Sequence, residues 1–452
     1  MPTESPWQAF RQPIHAENRD HLERLWSELP SALRTPTQMV GRQWEGCAAT
    51  IGAMPRCDFG CTACYLSSEA NATPPLPLEA VRKQLRQIRE NVGRWGNVQL
   101  TDGELTLRDP DDVVALVRVA RDLELIPMLM THGDAFRSDP SLLERLVVEG
   151  GLTEMSVHVD TTQRGRSGRG VDELESSLHP IRDEIAELVR DLRRRTGHEL
   201  RLAATVTVTR ANLAGVTDVV RWTLANGDLF RVLSFQPVAD VGRTRDRSGV
   251  SREELWRAIS DGLREDMDEP SSAWNSDQLF GHPGCSHVVM GSVWSEPGQI
   301  PRFVPLRDPT DARAEDDLAA FFDRFGGLSF RSDGRALALA RAAGVFVAAP
   351  IFWVSRGPRW LSSILRRARN GSSARTLTRL MTGRARFDPL AIVTHHFMDQ
   401  AELESPTGAE REAACVFRVP IDGELVSMCR VNATDVRRRF YASLREESNV
   451  LA

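Results

Sequence analysis

Residues 55–71 read PRCDFGCTACYLSSEAN and hold three of the chain's seven cysteines within eight positions. Cys57, Cys61 and Cys64 are spaced C-x3-C-x2-C. A disulfide would leave one thiol over. A structural zinc site usually closes with four ligands, often as two spaced pairs. Here the nearest further donors are Cys47 upstream and His132 far downstream. Three thiolates on a short loop suit a [4Fe–4S] cluster with one iron left open. An odd number of cysteines, three of them clustered, points to a reducing compartment and metal chemistry rather than a disulfide framework.

The flanks sharpen this reading. CAATIGAM (47–54) reads as a strand before the loop, and LPLEAVRKQLRQIRENVGRW (76–95) as a helix after it. NVQLTDGELTLRD (97–109) is an apolar strand ending in Asp102-Gly103-Glu104. With these features the chain resembles the radical SAM superfamily. That family's cluster loop is C-x3-C-x2-C followed by an aromatic, here Tyr65. Its Gly-Gly-Glu segment holds the amino group of S-adenosylmethionine (SAM). Asp102 departs from the first glycine of that segment, whereas Gly103 and Glu104 carry over. The resemblance implies an oxygen-sensitive enzyme with a [4Fe–4S] cluster and SAM, fed electrons by a reductase, flavodoxin or ferredoxin. Reductive cleavage of SAM at such a cluster gives a 5′-deoxyadenosyl radical able to take hydrogen from unactivated carbon.

Beyond the loop, strand and helix patterns alternate. LIPMLMTHGD (125–134) is an apolar run, and EMSVHVDTT (154–162) alternates so that Ser156, His158 and Asp160 share a face. The segment 171–197 is a long amphipathic helix closed by Gly197. LRLAATVTVTRAN (200–212) is a β-branched strand, 214–227 a helix, and LFRVLSFQPV (229–238) a sixth strand. Repeated units of this length predict an α/β fold with parallel strands and outer helices. The family resemblance implies a partial (β/α)6 TIM barrel, with ligands at the C-terminal ends of its strands. It gathers Tyr65, Gly103, Glu104, Thr131, Asp160, Asn212 and Gln236 around one mouth as candidate SAM or substrate contacts. Ordinary loop and cap chemistry is the competing reading for Thr131, His158, Thr207 and Asn212. His132 and His158 are candidate proton donors or plain scaffold.

Cys47, Cys285, Cys415 and Cys429 are scattered. Four thiolates are the number for a fully ligated second Fe–S cluster, while burial as small hydrophobes is the common fate of free cysteines. FQPVADVGR, HPGC, THHFMD and CVFRVPIDGELVSMCRVNA follow one another in the order seen in tetraether synthase-like radical SAM proteins. That group includes enzymes joining lipid chains tail to tail and relatives linked to pterin methylation. The resemblance implies Cys285, Cys415 and Cys429 as ligands of an auxiliary cluster, with Cys47, His282 or His287 as the fourth. The first 46 residues lack the additional cysteine-rich site of archaeal members, so the iron inventory differs.

Composition isolates one further segment. Residues 335–386 contain eleven Arg and no Lys, Asp or Glu, leaving 46 basic against 62 acidic residues elsewhere. Ala342–Ser355 is uncharged and apolar but interrupted by Pro350. In RWLSSILRRAR, Trp360, Leu361, Ile364, Leu365 and Ala368 share a helical face flanked by Arg, the pattern of a helix lying in a membrane interface. A core element or a lid over the barrel mouth is the alternative. Nucleic acid is not expected as a partner, with only two Tyr in the chain to stack on bases.

No secretory pattern opens the sequence, and no uncharged run reaches the ~18–20 residues that span a bilayer. The expected organisation is a helical piece (1–45), the barrel (46–245), an extension (246–334), the Arg-rich lid or interface segment (335–386) and an auxiliary Fe–S region (387–452). The expected location is cytoplasmic, peripheral to a membrane. The leading functional expectation is hydrogen abstraction leading to C–C bond formation on lipid chains. Modification or methylation of a pterin-like molecule or peptide is the runner-up. A non-enzymatic Fe–S or zinc protein binding a membrane or nucleic acid is the third reading.

Overall fold

A computed structural model describes residues 4–166, 174–245, 247–263, 278–330, 334–369 and 372–451. Eleven strands form one sheet. They are β1 (Cys47–Ala49), β2 (Asn97–Leu100), β3 (Ile126–Thr131), β4 (Glu154–His158), β5 (Arg201–Val208), β6 (Phe230–Pro237), β7 (Ser286–Ser295), β8 (Arg302–Pro305), β9 (Arg386–His395), β10 (Phe417–Ile421) and β11 (Glu424–Ser427). Their order is β11-β10-β1-β2-β3-β4-β5-β6-β9-β7-β8.

The six expected strands run parallel in sequence order. The fold is a partial TIM barrel of the radical SAM type. The parallel sheet does not stop at residue 245, however. β10 adds in parallel to β1, and β9 adds in parallel to β6. The C-terminal region is therefore built into the barrel wall. β11, β7 and β8 extend both edges antiparallel. The first strand is shorter than CAATIGAM suggests and ends at Ala49.

Period-two alternation sorts the strands' side chains. Val98, Leu100, Leu129, Met155, Val157, Leu202, Val206, Leu233 and Phe235 join the helix-facing core. The intervening Gln99, Met130, Ser156, His158, Thr205, Thr207, Ser234 and Gln236 line cavities inside the barrel. The helices answer with apolar stripes. Leu78–Val92 buries Val81, Leu85, Ile88 and Val92, spaced to form one face. Pro110–Asp122 starts at an Asp109 cap with Pro at its first turn. His179–Thr196 ends at Gly197 in the left-handed region. The first three residues of the expected helix 171–197 lie outside the described residues.

Among the described residues, no helix is long and apolar enough to cross a membrane. Most of the expected interface face of Gly357–Arg369 is turned inward instead, with Leu361 left exposed. Ile364 and Ala368 are buried in a cluster with Trp294 and Val304, and Trp360 stacks on Phe321 at 5.9 Å. Two of its arginines are paired as well: Arg359 binds Asp317 at 2.6 Å and Arg367 lies 3.4 Å from Asp308.

Candidate active site and a second cysteine cavity

The three-cysteine loop lies at the C-terminal ends of β2 to β6. Cys57, Cys61 and Cys64 line one cavity with Tyr65, Gly103, Glu104, Thr131, His158, Thr207 and Gln236. Backbone bonds dock the loop on its surroundings. Gly103 N–H donates to Met54 O at 2.7 Å, and Glu104 N–H to Arg56 O at 2.8 Å. A Cβ at Gly103 would lie 2.1 Å from Arg56 O, so only glycine permits this approach. The segment after β6 closes the other side. Arg243 N–H donates to Cys64 O at 3.0 Å and Arg245 N–H to Thr62 O at 2.7 Å. Gly242 has φ +57°, and a Cβ there would be 2.3 Å from the Tyr65 carbonyl.

The donor set fits an iron–sulfur cluster. Burial pushes the Cys57 thiol up to about 12, and burial with the neighbouring Cys64 pushes Cys61 up as well. Such buried sulfurs stay as thiolates only when a bound cation supplies the balancing charge. One guanidinium already faces the set: Arg243 Nε donates to Cys64 Sγ at 3.3 Å. Among the described residues, no three Cys, His, Asp or Glu side chains group closely enough for a single metal ion.

Glu104 is buried and held in place. Its carboxylate accepts from Thr131 Oγ1 at 2.9 Å, His132 N–H at 2.9 Å and Thr106 Oγ1 at 2.7 Å. His132 stacks on Phe59 of the cysteine loop with centroids 3.9 Å apart, and its Nε2 is 2.9 Å from Asp58. Asp102, at the position where a glycine was expected, has a structural occupation. It forms a buried ion pair with Arg437 of the C-terminal helix Val436–Leu451 and accepts from Gly52 N–H at 2.6 Å. Arg437 lies over Tyr65 at 4.9 Å and Tyr441 at 5.7 Å, which are the chain's two tyrosines. Sequence reading did not single out Arg437, because it lies 335 positions from its partner.

Two expected contacts lie behind the cavity wall. Asp160 is buried, binds His158 Nε2 at 2.5 Å and accepts from Thr207 N–H at 2.7 Å. Asn212 is tied to Glu175 at 2.9 Å and to Thr209 N–H at 2.8 Å. Their short side chains are consumed by neighbouring loops, so His158 and Thr207 meet the cavity instead. Burial opposes a charge on His158, but Asp160 overcomes it and holds the imidazole above its ordinary pKa.

A second cavity lies deeper, toward the N-terminal end of β1. Cys47, Cys285, Cys415 and Cys429 all line it. Gln99, Met130, Thr205, Gln236, Phe397, Phe417 and Met428 border both cavities, so the two cysteine sets face each other across one layer of side chains. Burial pushes the Cys429 thiol up to about 12, with Cys415 and Cys285 adding to the shift. Here too one guanidinium meets a sulfur: Arg411 Nε lies 3.5 Å from Cys285 Sγ. Cys47 lies 3.5 Å from Asn97 Oδ1.

Neither His282 nor His287 lines this cavity. His282 caps its own turn by accepting from Gly284 N–H at 2.9 Å, and His287 packs on Trp256 at 4.3 Å. His395 and His396 line it instead. His396 Nε2 is buried with no hydrogen-bond partner, and burial pushes that imidazole down to about 3. The signal was the HH pair in THHFMD, of which His395 ends β9 and His396 follows it. No described residue of 335–386 lines either cavity, so the lid expected there does not cover the barrel mouth.

The barrel, the three-cysteine loop at its mouth and the adjoining Gly103-Glu104 segment define a SAM-radical class of domain. Residues 51–219 match the Radical SAM superfamily profile. Over 203 residues it is 22% identical to the 7,8-dihydro-6-hydroxymethylpterin dimethyltransferase of Methanocaldococcus jannaschii, an overlap of 44% of this chain. The match spans only 38% of that relative's length. Among solved structures, SuiB of Streptococcus suis bound to SAM overlaps 47% of this chain and 45% of its own, with TM-score 0.35 and 18% identity. The structure of anSMEcpe with bound SAM overlaps 47% and 58%, with TM-score 0.34 and 14% identity.

Proposed function

We propose that this protein is a two-cluster radical SAM enzyme that abstracts hydrogen from an unactivated carbon held between its two cysteine sets. The observation that carries this reading is the placement of all seven cysteines in two sets on either side of one side-chain layer. Cys57, Cys61 and Cys64 would hold the SAM cluster. Cys285, Cys415 and Cys429 would hold the auxiliary cluster, with Cys47 or His396 completing it. When bound, the first cluster with SAM supplies the 5′-deoxyadenosyl radical, its electron coming from an external reductase, flavodoxin or ferredoxin.

The chain's own groups set the stage. Glu104, fixed by Thr131 and His132, offers a carboxylate for the SAM amino group, with Gly103 leaving its backbone open and Tyr65 and Gln236 on the wall. His158 shares a proton with Asp160 through Nε2. It lines the cavity, where it is suited to hold or pass a proton. Where the cavities meet, Met130, Phe397, Phe417 and Met428 supply apolar lining beside Gln99, Thr205 and Gln236.

That apolar lining supports a hydrocarbon substrate and C–C bond formation between lipid chains. Such coupling breaks two C–H bonds and forms one C–C bond. Each hydrogen leaves in 5′-deoxyadenosine, and one electron is consumed per SAM. The likeness to a pterin dimethyltransferase supports a second reading, methylation of a pterin-like ring. Anaerobically reconstituted protein given dithionite and SAM should release 5′-deoxyadenosine. Failure with an intact cluster overturns the enzyme reading. Acid-hydrolysed lipids of an anaerobic expression host should then contain chains of doubled carbon number less two hydrogens. An unchanged lipid profile with a methylated pterin product selects the second reading.

A further inference from the structure

The helices Arg335–Ala348 and Pro350–Ser355 each present large apolar side chains to solvent. Leu339, Phe346 and Val347 are 73%, 54% and 60% exposed, and recur at the spacing of a single helical face. Ile351 and Val354, 83% and 75% exposed, follow on the next helix. The opposite face is firmly seated. Arg341 is buried and binds Glu4 at 2.7 Å and Pro13 O at 3.0 Å. A Cβ at Gly344 would be 2.2 Å from Phe10 O, and Trp353 stacks on Phe325 at 5.7 Å. These side chains are thus held outward, and no described residue covers them. Scattered exposed aliphatics are ordinary, but five large ones on two consecutive helices are the mark of an interaction surface.

We infer that this apolar surface docks the protein on an anionic lipid bilayer. The charge pattern selects that occupant. From residue 336 to 354 the lone charged residue is the buried Arg341. Arg335 stands exposed at one end, and Arg366, Arg375 and Arg384 in the same segment have no acidic partner among the described residues. The whole segment 335–386 lacks acidic residues, whereas the rest of the chain is acidic. A second copy of the chain docked by twofold symmetry would bring this cationic segment against itself, which like charges oppose. Anionic headgroups match an apolar surface carried on a segment rich in Arg and free of acidic residues. The inference stands apart from the substrate reading, since a bilayer-bound enzyme need not act on lipid.

The test is co-sedimentation of the full-length protein with vesicles of phosphatidylcholine alone and with added phosphatidylglycerol. Binding to the anionic vesicles is expected, at least about tenfold weaker to the neutral ones and weakened by salt. Ile351→Glu with Val354→Glu should lower anionic binding by about tenfold or more. Iron content and 5′-deoxyadenosine release should stay unchanged, because both residues are exposed and neither lines a cysteine cavity. Leu339→Glu provides an independent variant on the first helix. No enrichment on anionic vesicles, or a wild-type dimer by light scattering that Ile351→Glu dissociates, overturns the inference.

Discussion

The two cysteine sets of this protein are alike in chemistry and opposite in construction. The first occupies eight consecutive positions on one loop and borrows its rigidity from backbone bonds to residues 103–104 and 243–245. The second draws Cys47 from β1, Cys285 from the turn before β7, Cys415 from the turn before β10 and Cys429 from the helix Met428–Ala433. Each nevertheless lines a cavity in the same barrel and meets one arginine, Arg243 on Cys64 and Arg411 on Cys285. A local set can be assembled by a turn. A dispersed set exists only if β9 and β10 have joined the barrel wall, so its integrity reports on the whole fold.

The largest effect should come from the loop. Cys61→Ala should abolish 5′-deoxyadenosine release and lower iron by about four per chain, while the auxiliary iron remains. Loss of all iron would mean that the sets are not independent. Next is the latch between the halves. Arg437→Met leaves Asp102 buried and unpaired, and should destabilise the protein by about 3–5 kcal/mol in denaturant unfolding. An unchanged midpoint would remove Arg437 from the account. Cys415→Ala should lower iron by about four per chain and leave SAM cleavage detectable. Comparing Cys47→Ala with His396→Ala then identifies the remaining ligand, and loss of a nitrogen hyperfine coupling in the second variant would assign His396.

Two smaller effects probe tuning. Arg243→Gln withdraws a positive charge from Cys64 and should lower the midpoint potential of the SAM cluster by on the order of 50 mV in an EPR-monitored titration, with the auxiliary potential unmoved. His158 has a raised folded pKa, so its pairing with Asp160 contributes fully below the ordinary histidine range. That contribution is lost as pH rises through the folded pKa. His158→Gln should flatten the fall in melting temperature above neutral pH. An identical slope in both proteins would deny the pair.

Much of this was legible in the sequence where the determining interactions are short-ranged. Three cysteines in eight residues announce their chemistry because a turn suffices to converge them. Alternation in EMSVHVDTT put Ser156 and His158 on one face, because strand period is a backbone property, and the structure turns that face into the barrel. Asp160 and Asn212 lie past their strands, where loop hydrogen bonds rather than period decide direction. The helix 357–369 shows the other limit. Its amphipathic face was read correctly, but a moment says only that a face needs covering. Here Trp294, Val304 and Phe321 cover most of it, and Leu339, Phe346, Val347, Ile351 and Val354 are left in solvent.

By itself the sequence determined the cluster loop, the parallel barrel of six units and the charge asymmetry of residues 335–386, since each is written in neighbouring residues. Only the tertiary structure decided that four scattered cysteines and His396 share one cavity, that Asp102 answers Arg437, and which apolar face remains exposed. Those outcomes depend on contacts hundreds of positions apart, where chain order carries no information about distance and burial chooses the partner.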